Sequence, residues 1–300
     1  MKTETNQIFH EPVLLNEVVE CLQVSDDKWY IDATAGGGGH TKGILNKGGK
    51  VLCIDRDLEA VAYLKEKFKQ EIATGKVIIR QMNFNQIKDC VSQAGIAKIY
   101  GIIFDLGLST YQIKKSTRGF SFNNDAMLDM RMSQEEKLTA KEIINNYSQN
   151  DLYEIFRKFG EENLAREIAY AIYRARSVKP IEKTGQLKQI VESIYKKAKV
   201  HTKINPATKV FQALRIEVNR ELENLQIGIN QAMDILIPGG RCAVISFHSL
   251  EDRIVKQFFN ETVENKTGKI IYKRPLRASK LELRENPSSR SAKLRIIEKL

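Results

Sequence analysis

The chain has 300 residues, 42% of them hydrophobic, and carries 48 Lys+Arg against 37 Asp+Glu, a formal charge of +11. That composition supports a packed core and excludes a disordered chain. No run approaches the ~20 apolar residues of a membrane span, and Cys21, Cys53, Cys90 and Cys242 form no Cys-x-x-Cys pair, which disfavours a disulfide framework or a cysteine-rich zinc site.

The first third alternates strand-like and helix-like segments. Tyr30–Thr34, Lys50–Asp55, Lys76–Arg80 and Gly101–Leu106 are short, β-branched and bounded by Gly, Asp or Asn. Asp57 to Lys69 has helical spacing and an aspartate start. Near-continuous apolar strands alternating with helices predict a parallel sheet covered on both faces. From Thr139 to about Val200 only helical periodicity is present: a helix from Asp151 capped by Gly160, then Glu161–Arg176 and Thr184–Lys199. Asn205-Pro206 opens a long helix, Ala207 to about Leu236, closed by Pro238-Gly239-Gly240. Sheet character returns in Arg241–His248, followed by a helix Leu250–Phe259 and short strands at Lys269–Lys273 and Ala292–Ile297. The expectation is a discontinuous α/β domain, 1–112 with 206–300, interrupted by a helical insertion at 113–205.

The charge is unevenly placed. Residues 1–110 hold 13 basic and 14 acidic side chains, whereas residues 266–300 hold 11 and 3. A cationic end of this kind favours a polyanion, nucleic acid or a membrane surface; a solvated tail is the plainer alternative. Residues 1–10 lack the apolar core of a signal peptide, so a cytoplasmic protein is expected.

Gly36-Gly37-Gly38-Gly39-His40 follows the first strand and precedes a helix, and Asp55 lies 19 positions after Gly36 at the tip of the second strand. Free N–H groups at the helix start and an acid able to accept ribose hydroxyls point to a nucleoside cofactor. A Walker A loop is absent, because no Lys-Ser/Thr follows the glycines, and the dinucleotide G-x-G-x-x-G also fails, with Lys42 or Thr41 at its third glycine position. A tight turn in a generic α/β protein stays open, as does a nicotinamide oxidoreductase. Phe84 after the third strand is either a core residue or a platform for an adenine. Asp105 closes the fourth strand, at the carboxyl end where doubly wound sheets bind ligands. Arg118 and Arg131 flank Phe120 and Phe122, which is either core packing or a way to stack a base and hold phosphates. In Ser246–Arg253, His248 faces a prospective acceptor and Ser249 is a candidate helix cap with Asp252 at its third position. No His/Cys/acid cluster has metal-ligand spacing, so no metal is expected.

The string Asp32-Ala-Thr-Ala-Gly-Gly-Gly-Gly resembles the first motif of S-adenosylmethionine (SAM)-dependent methyltransferases. It occurs in order with His10-Glu-Pro-Val-Leu14, Asp105-Leu-Gly-Leu-Ser109, Arg118-Gly-Phe-Ser-Phe122, Leu128-Asp-Met-Arg-Met132, Asn205–Asn219, Ser246-Phe-His-Ser-Leu-Glu-Asp-Arg253 and Asn286–Arg295. Together these resemble the bacterial ribosomal RNA small subunit methyltransferase H (MraW) family over nearly the whole chain. The resemblance implies a class I methyltransferase fold, Rossmann-like, with a mostly parallel seven-stranded sheet and an all-α insertion that recognises RNA. It implies SAM-dependent methylation of N4 of a cytidine in the decoding region of 16S rRNA, within the small ribosomal subunit. A homodimer is left open, as is an assembly factor that holds SAM without turnover.

Carried over residue by residue, the cofactor positions are Gly38, Gly39, His40, Asp55, Phe84, Asp105 and Gln112. Asp105, Ser109 and His248 are the catalytic candidates. Arg118, Phe120, Phe122, Arg131, Arg290, Lys293 and Arg295 are the expected RNA contacts. The chain departs from the family pattern twice: Ser109-Thr110-Tyr111-Gln112 stands where the family has Ser-Ser-Pro-Gln, and Ser288 replaces the arginine of Asn-Pro-Arg.

Overall fold

The computed structural model describes residues 12–108, 117–122 and 124–300. They divide into two units, one within 1–109 and 222–300, the other within 110–221.

The first unit is built on a seven-stranded sheet. Its strands are β1 (Trp29–Asp32), β2 (Lys50–Asp55), β3 (Val77–Gln81), β4 (Ile99–Asp105), β5 (Leu236–Ser246), β6 (Gly268–Ile270) and β7 (Lys293–Lys299), in the spatial order β3-β2-β1-β4-β5-β7-β6. β3, β2, β1, β4 and β5 pair in parallel; β7 runs antiparallel to both β5 and β6. The order reverses at β1, so β1 and β4 open the crevice in which doubly wound sheets bind ligands. This is the mostly parallel seven-stranded sheet that the sequence resemblance implies.

Alternation along the strands fills two apolar layers. Ile103, Ala243 and Ile245 enter one layer with Leu14, Ile44 and Leu64. Ile102, Phe104 and Val244 enter the other with Ile87, Leu225 and Phe259. Local chemistry sets the helix starts. Asp57 caps the helix Leu58–Lys67, its carboxylate accepting from the Glu59 N–H.

The second unit is helical. Capping boxes of Thr139 with Glu142 and Ser148 with Asp151 start the helices Ala140–Asn146 and Gln149–Gly160. With Ala165–Arg176, Thr184–Ala198 and Ala207–Asn219, these helices enclose a core that includes Ile144, Phe156, Ile168, Leu187 and Leu214.

Several elements differ from the sequence reading. Gly160 ends its helix from within, and Glu161, at φ 46°, makes the left-handed cap. A Cβ on Gly160 would lie 2.8 Å from the Lys209 carbonyl oxygen, so glycine here permits close approach of the helix Ala207–Asn219. That helix puts Val210, Phe211 and Leu214 into the helical core, so the insertion extends to 221 rather than 205. The single helix expected from 207 to 236 is two, because Arg220 turns left-handed at φ 48° before Glu221–Ile235. The cap of Ser249–Glu264 is His248, with Glu251 at the third position, rather than Ser249 with Asp252.

Candidate active site

The carboxyl ends of β1, β2 and β4 bring three aspartates to one edge of the sheet. Asp32 pairs in register with Cys53 of β2 and Ile103 of β4, and Asp55 and Asp105 end the latter two strands. The chain leaving β1 is stitched to these tips. Ala35 N–H donates to the Ile54 carbonyl at 3.0 Å, and Asp105 N–H donates to Thr34 Oγ1 at 2.6 Å.

Gly38 stands at φ 69° at the start of the helix Gly39–Leu45. A Cβ there would lie 2.5 Å from the Phe68 ring, and one on Gly39 would lie 2.7 Å from Pro12. These glycines are therefore required by the turn and by packing beneath it.

Asp55 accepts Gly36 N–H at Oδ2, 2.7 Å, and Asp57 N–H at Oδ1, 2.8 Å. Each oxygen keeps a further lone pair for a hydroxyl. Burial raises the carboxyl to about 6, against the two backbone donors, which lower it. Met82 N–H donates to the Asp55 carbonyl at 3.0 Å, which ties the start of the next loop to this tip. Phe84 lies two residues on, its ring edge-to-face with Phe104 at 5.6 Å. It is partly buried against the core, as the packing alternative held, and a Cβ on Gly228 would lie 2.7 Å from its Cδ2.

His40 is buried, with Nε2 3.4 Å from Asp105 Oδ2. Burial opposes its charge, but the carboxylates of Asp105 and Asp32 outweigh this and hold the imidazole above its ordinary value. Asp32 was missed by the motif reading. Its Oδ2 accepts from Thr41 N at 3.1 Å and from Thr41 Oγ1 at 2.7 Å. Among the described residues, neither its buried Oδ1 nor His40 Nδ1 has a hydrogen-bond partner. Burial raises the Asp32 carboxyl, with His40 and Thr41 opposing. Its signal was an acid as the last residue of a strand before a glycine turn, with a threonine nine residues on, in the first turn of the next helix.

These groups fit SAM. Asp55 suits a ribose diol and Phe84 an adenine face, while the orphaned Asp32 oxygen is a buried acceptor for an ammonium group.

His248 is occupied locally. Its Nδ1 accepts from Glu251 N–H at 3.3 Å, and its Nε2 lies 3.2 Å from Glu251 Oε1. Ser109 and Gln112, like the His10-Glu11 part of the first motif, lie outside the described residues.

The expected RNA contacts fall into different surroundings. Arg290 is exposed, as are Lys273, Arg274, Arg277, Lys280 and Arg284. Lys293 Nζ and Arg295 Nε both bond Asp252, at 2.8 and 2.7 Å, which neutralises part of their charge. In the helical unit Arg131 pairs with Asp129 at 2.7 Å, and Arg118 sits 5.6 Å from the Phe120 ring. Phe122 packs edge-to-face on Phe211 at 5.1 Å. Its role is largely core packing, because the aromatic pair caps the helical core.

Among the described residues no helix is long and apolar enough to cross a membrane. The MraW methylase family model matches residues 7–300. A ribosomal RNA small subunit methyltransferase H from Caldicellulosiruptor bescii is 45% identical, covering 97% of this chain and 99% of that protein. The protein of the same name from Finegoldia magna is 40% identical, covering 97% and 98%. A solved putative methyltransferase from Streptococcus mutans in complex with SAH is 15% identical, with a TM-score of 0.46, over 96% of this chain and 99% of that one. With the family model spanning all but the first six residues, this chain belongs to the MraW methylase family.

Proposed function

We propose that the chain methylates N4 of a cytidine in the decoding region of 16S rRNA, using SAM, on the small ribosomal subunit in the cytoplasm. The observation that carries this reading is the gathering of Asp32, Asp55, Asp105 and His40 around the glycine turn, in a chain of this family. When bound, SAM supplies an electrophilic methyl group.

The chain's own residues do the rest. Asp55 holds the ribose, Phe84 packs the adenine and Asp32 receives the ammonium. The cytosine amine is a weak nucleophile, because its lone pair is delocalised into the ring. The protein's task is to orient that amine and accept hydrogen bonds from it as it pyramidalises. Asp105 takes the acceptor role in this reading, supported by its position at the end of β4 with Oδ2 3.4 Å from His40 Nε2. The proton leaves with or after methyl transfer, so no strong base is required. Ser109 is a second candidate for contact with the amine. His248, bound to Glu251, orients the chain leaving β5 rather than the acceptor.

The helical unit serves as the RNA-recognition domain, and the exposed basic residues between Lys273 and Arg290 grip phosphates. Access to N4 requires the cytidine to leave its stack. The test is transfer of tritiated methyl from SAM to purified small subunits lacking the modification. Incorporation that is lost in Asp105→Ala is the expected result. A wild-type protein that binds SAM but incorporates no methyl would leave a binding factor instead.

A further inference from the structure

The helix Ala165–Arg176 buries Ala165, Ile168, Ala169 and Ile172 in the helical core. Its opposite face is unusual in what it leaves in water. Tyr170 is 52% exposed and Tyr173 44%, and Val178 just beyond is 90% exposed. Arg166, Tyr170 and Arg174 follow at intervals of four within the helix, so they share one row, with Tyr173 beside it.

The ridge is supported from below. The Arg176 guanidinium donates to the carbonyls of Ile144 at 2.6 Å and Tyr147 at 2.5 Å, and lies 5.3 Å from the Tyr173 ring centroid. Arg166 is anchored similarly, 5.3 Å from the Tyr153 ring on the neighbouring helix Gln149–Gly160. Tyr173 and Arg166 are thus held in place before any ligand arrives, which lowers the entropy lost on binding.

Across 166–179 the segment carries Arg166, Arg174, Arg176 and Lys179 against one acid, Glu167. Exposed aromatic faces set among cations match stacked bases joined by phosphates. Four cations against one acid favour a polyanion over a neutral protein surface. We propose that this outward face, centred on Tyr170 and Tyr173, docks unpaired nucleotides of the RNA substrate. The inference rests on the proposed rRNA reading and adds a surface that none of the motif residues predicted.

The test compares Tyr170→Ala/Tyr173→Ala with Tyr170→Phe/Tyr173→Phe. Filter binding to unmodified small subunits, and to an unstructured oligouridine, gives Kd. Methyl transfer gives KM and kcat. The alanine pair is expected to raise Kd and KM about tenfold or more, two stacked bases being lost, with kcat, SAM affinity and Tm unchanged. The phenylalanine pair keeps the rings and should bind within about twofold of wild type.

Wild-type binding by the alanine pair would overturn the proposal. So would equal loss in both pairs, which would assign the effect to the hydroxyls. A change in sedimentation showing that the alanine pair breaks a dimer would also overturn it, because the face would then join two copies. A wild-type chain that transfers no methyl to subunits, yet loses oligouridine binding through the alanine pair, would sink the rRNA reading and leave the surface standing.

Discussion

Asp55→Asn separates the cost of burying a carboxylate from its use. Burial raises the native carboxyl to about 6 from an ordinary value of 3.8. A group raised in this way contributes stability fully below the unfolded value, and that stability is lost as pH rises through the native value. At about 1.4 kcal/mol per unit, the ionised Asp55 costs the fold roughly 3 kcal/mol above pH 7. Asparagine removes that cost but meets one of the two backbone donors, Gly36 N–H or Asp57 N–H, with an amide NH2. The mismatch costs about 1–3 kcal/mol at any pH. Absolute stabilities therefore nearly cancel near neutrality, and the pH dependence is the informative quantity. Urea unfolding of both proteins should show the variant gaining on wild type by about 1.5 kcal/mol between pH 5 and pH 8. Calorimetry at pH 8 should show SAM affinity about 10–100-fold weaker in the variant, because a charged acceptor is lost. A flat stability difference, or one with the opposite slope, would refute the desolvation argument. Unchanged SAM affinity would refute the ribose assignment.

Gly38→Ala forces a left-handed alanine whose Cβ lies 2.5 Å from the Phe68 ring; urea unfolding should register a loss of about 2–4 kcal/mol, and a loss under about 0.5 kcal/mol would contradict the packing role. Burial would raise Asp252, but its bonds from Arg295 and Lys293 more than offset this and hold it below the ordinary carboxylate range. Its stabilisation is present above the unfolded value and fades as pH falls through the native one, so Asp252→Asn should cost about 1–3 kcal/mol at pH 7 and progressively less as pH falls below the ordinary carboxylate range. Arg290→Ala should reduce the slope of log affinity for small subunits against log salt by about one, with SAM affinity unchanged; an unaltered slope would remove Arg290 from the phosphate contacts. Asp105→Ala should lower kcat at saturating SAM about 100-fold or more, and an unchanged kcat would transfer the positioning role elsewhere.

Much of the α/β architecture is legible because its strands are short apolar runs ended by acids. Ile54-Asp55 and Phe104-Asp105 each mark a strand tip, and the structure ends β2 and β4 there, each two residues beyond the register partner of Asp32. Less visible were effects that depend on contacts between distant segments. Gly160 reads as a helix stop, yet it serves the approach of a helix some 50 residues on. Arg220 is an ordinary helix former, and nothing in its residue type marks the left-handed turn at φ 48° that ends its helix. Lys293 and Arg295 look like free cations until β7 sets them against Asp252. Asp32 carried no motif weight of its own, although its buried oxygen is the site's clearest orphaned acceptor. Charge arithmetic pointed to the C-terminal residues and overlooked Tyr170 and Tyr173, because exposure cannot be read from helical periodicity alone.

The central claim is methylation of a cytidine N4 in 16S rRNA. Nucleoside mass spectrometry of 16S rRNA from a strain lacking this chain, before and after treatment with the purified protein and SAM, tests it most directly. The account predicts a cytidine lacking an N4-methyl group in the deletion strain, restored by the wild-type protein and not by Asp105→Ala. Identical N4-methylcytidine with and without the chain, or restoration of a methyl group on a ring carbon instead, would contradict it.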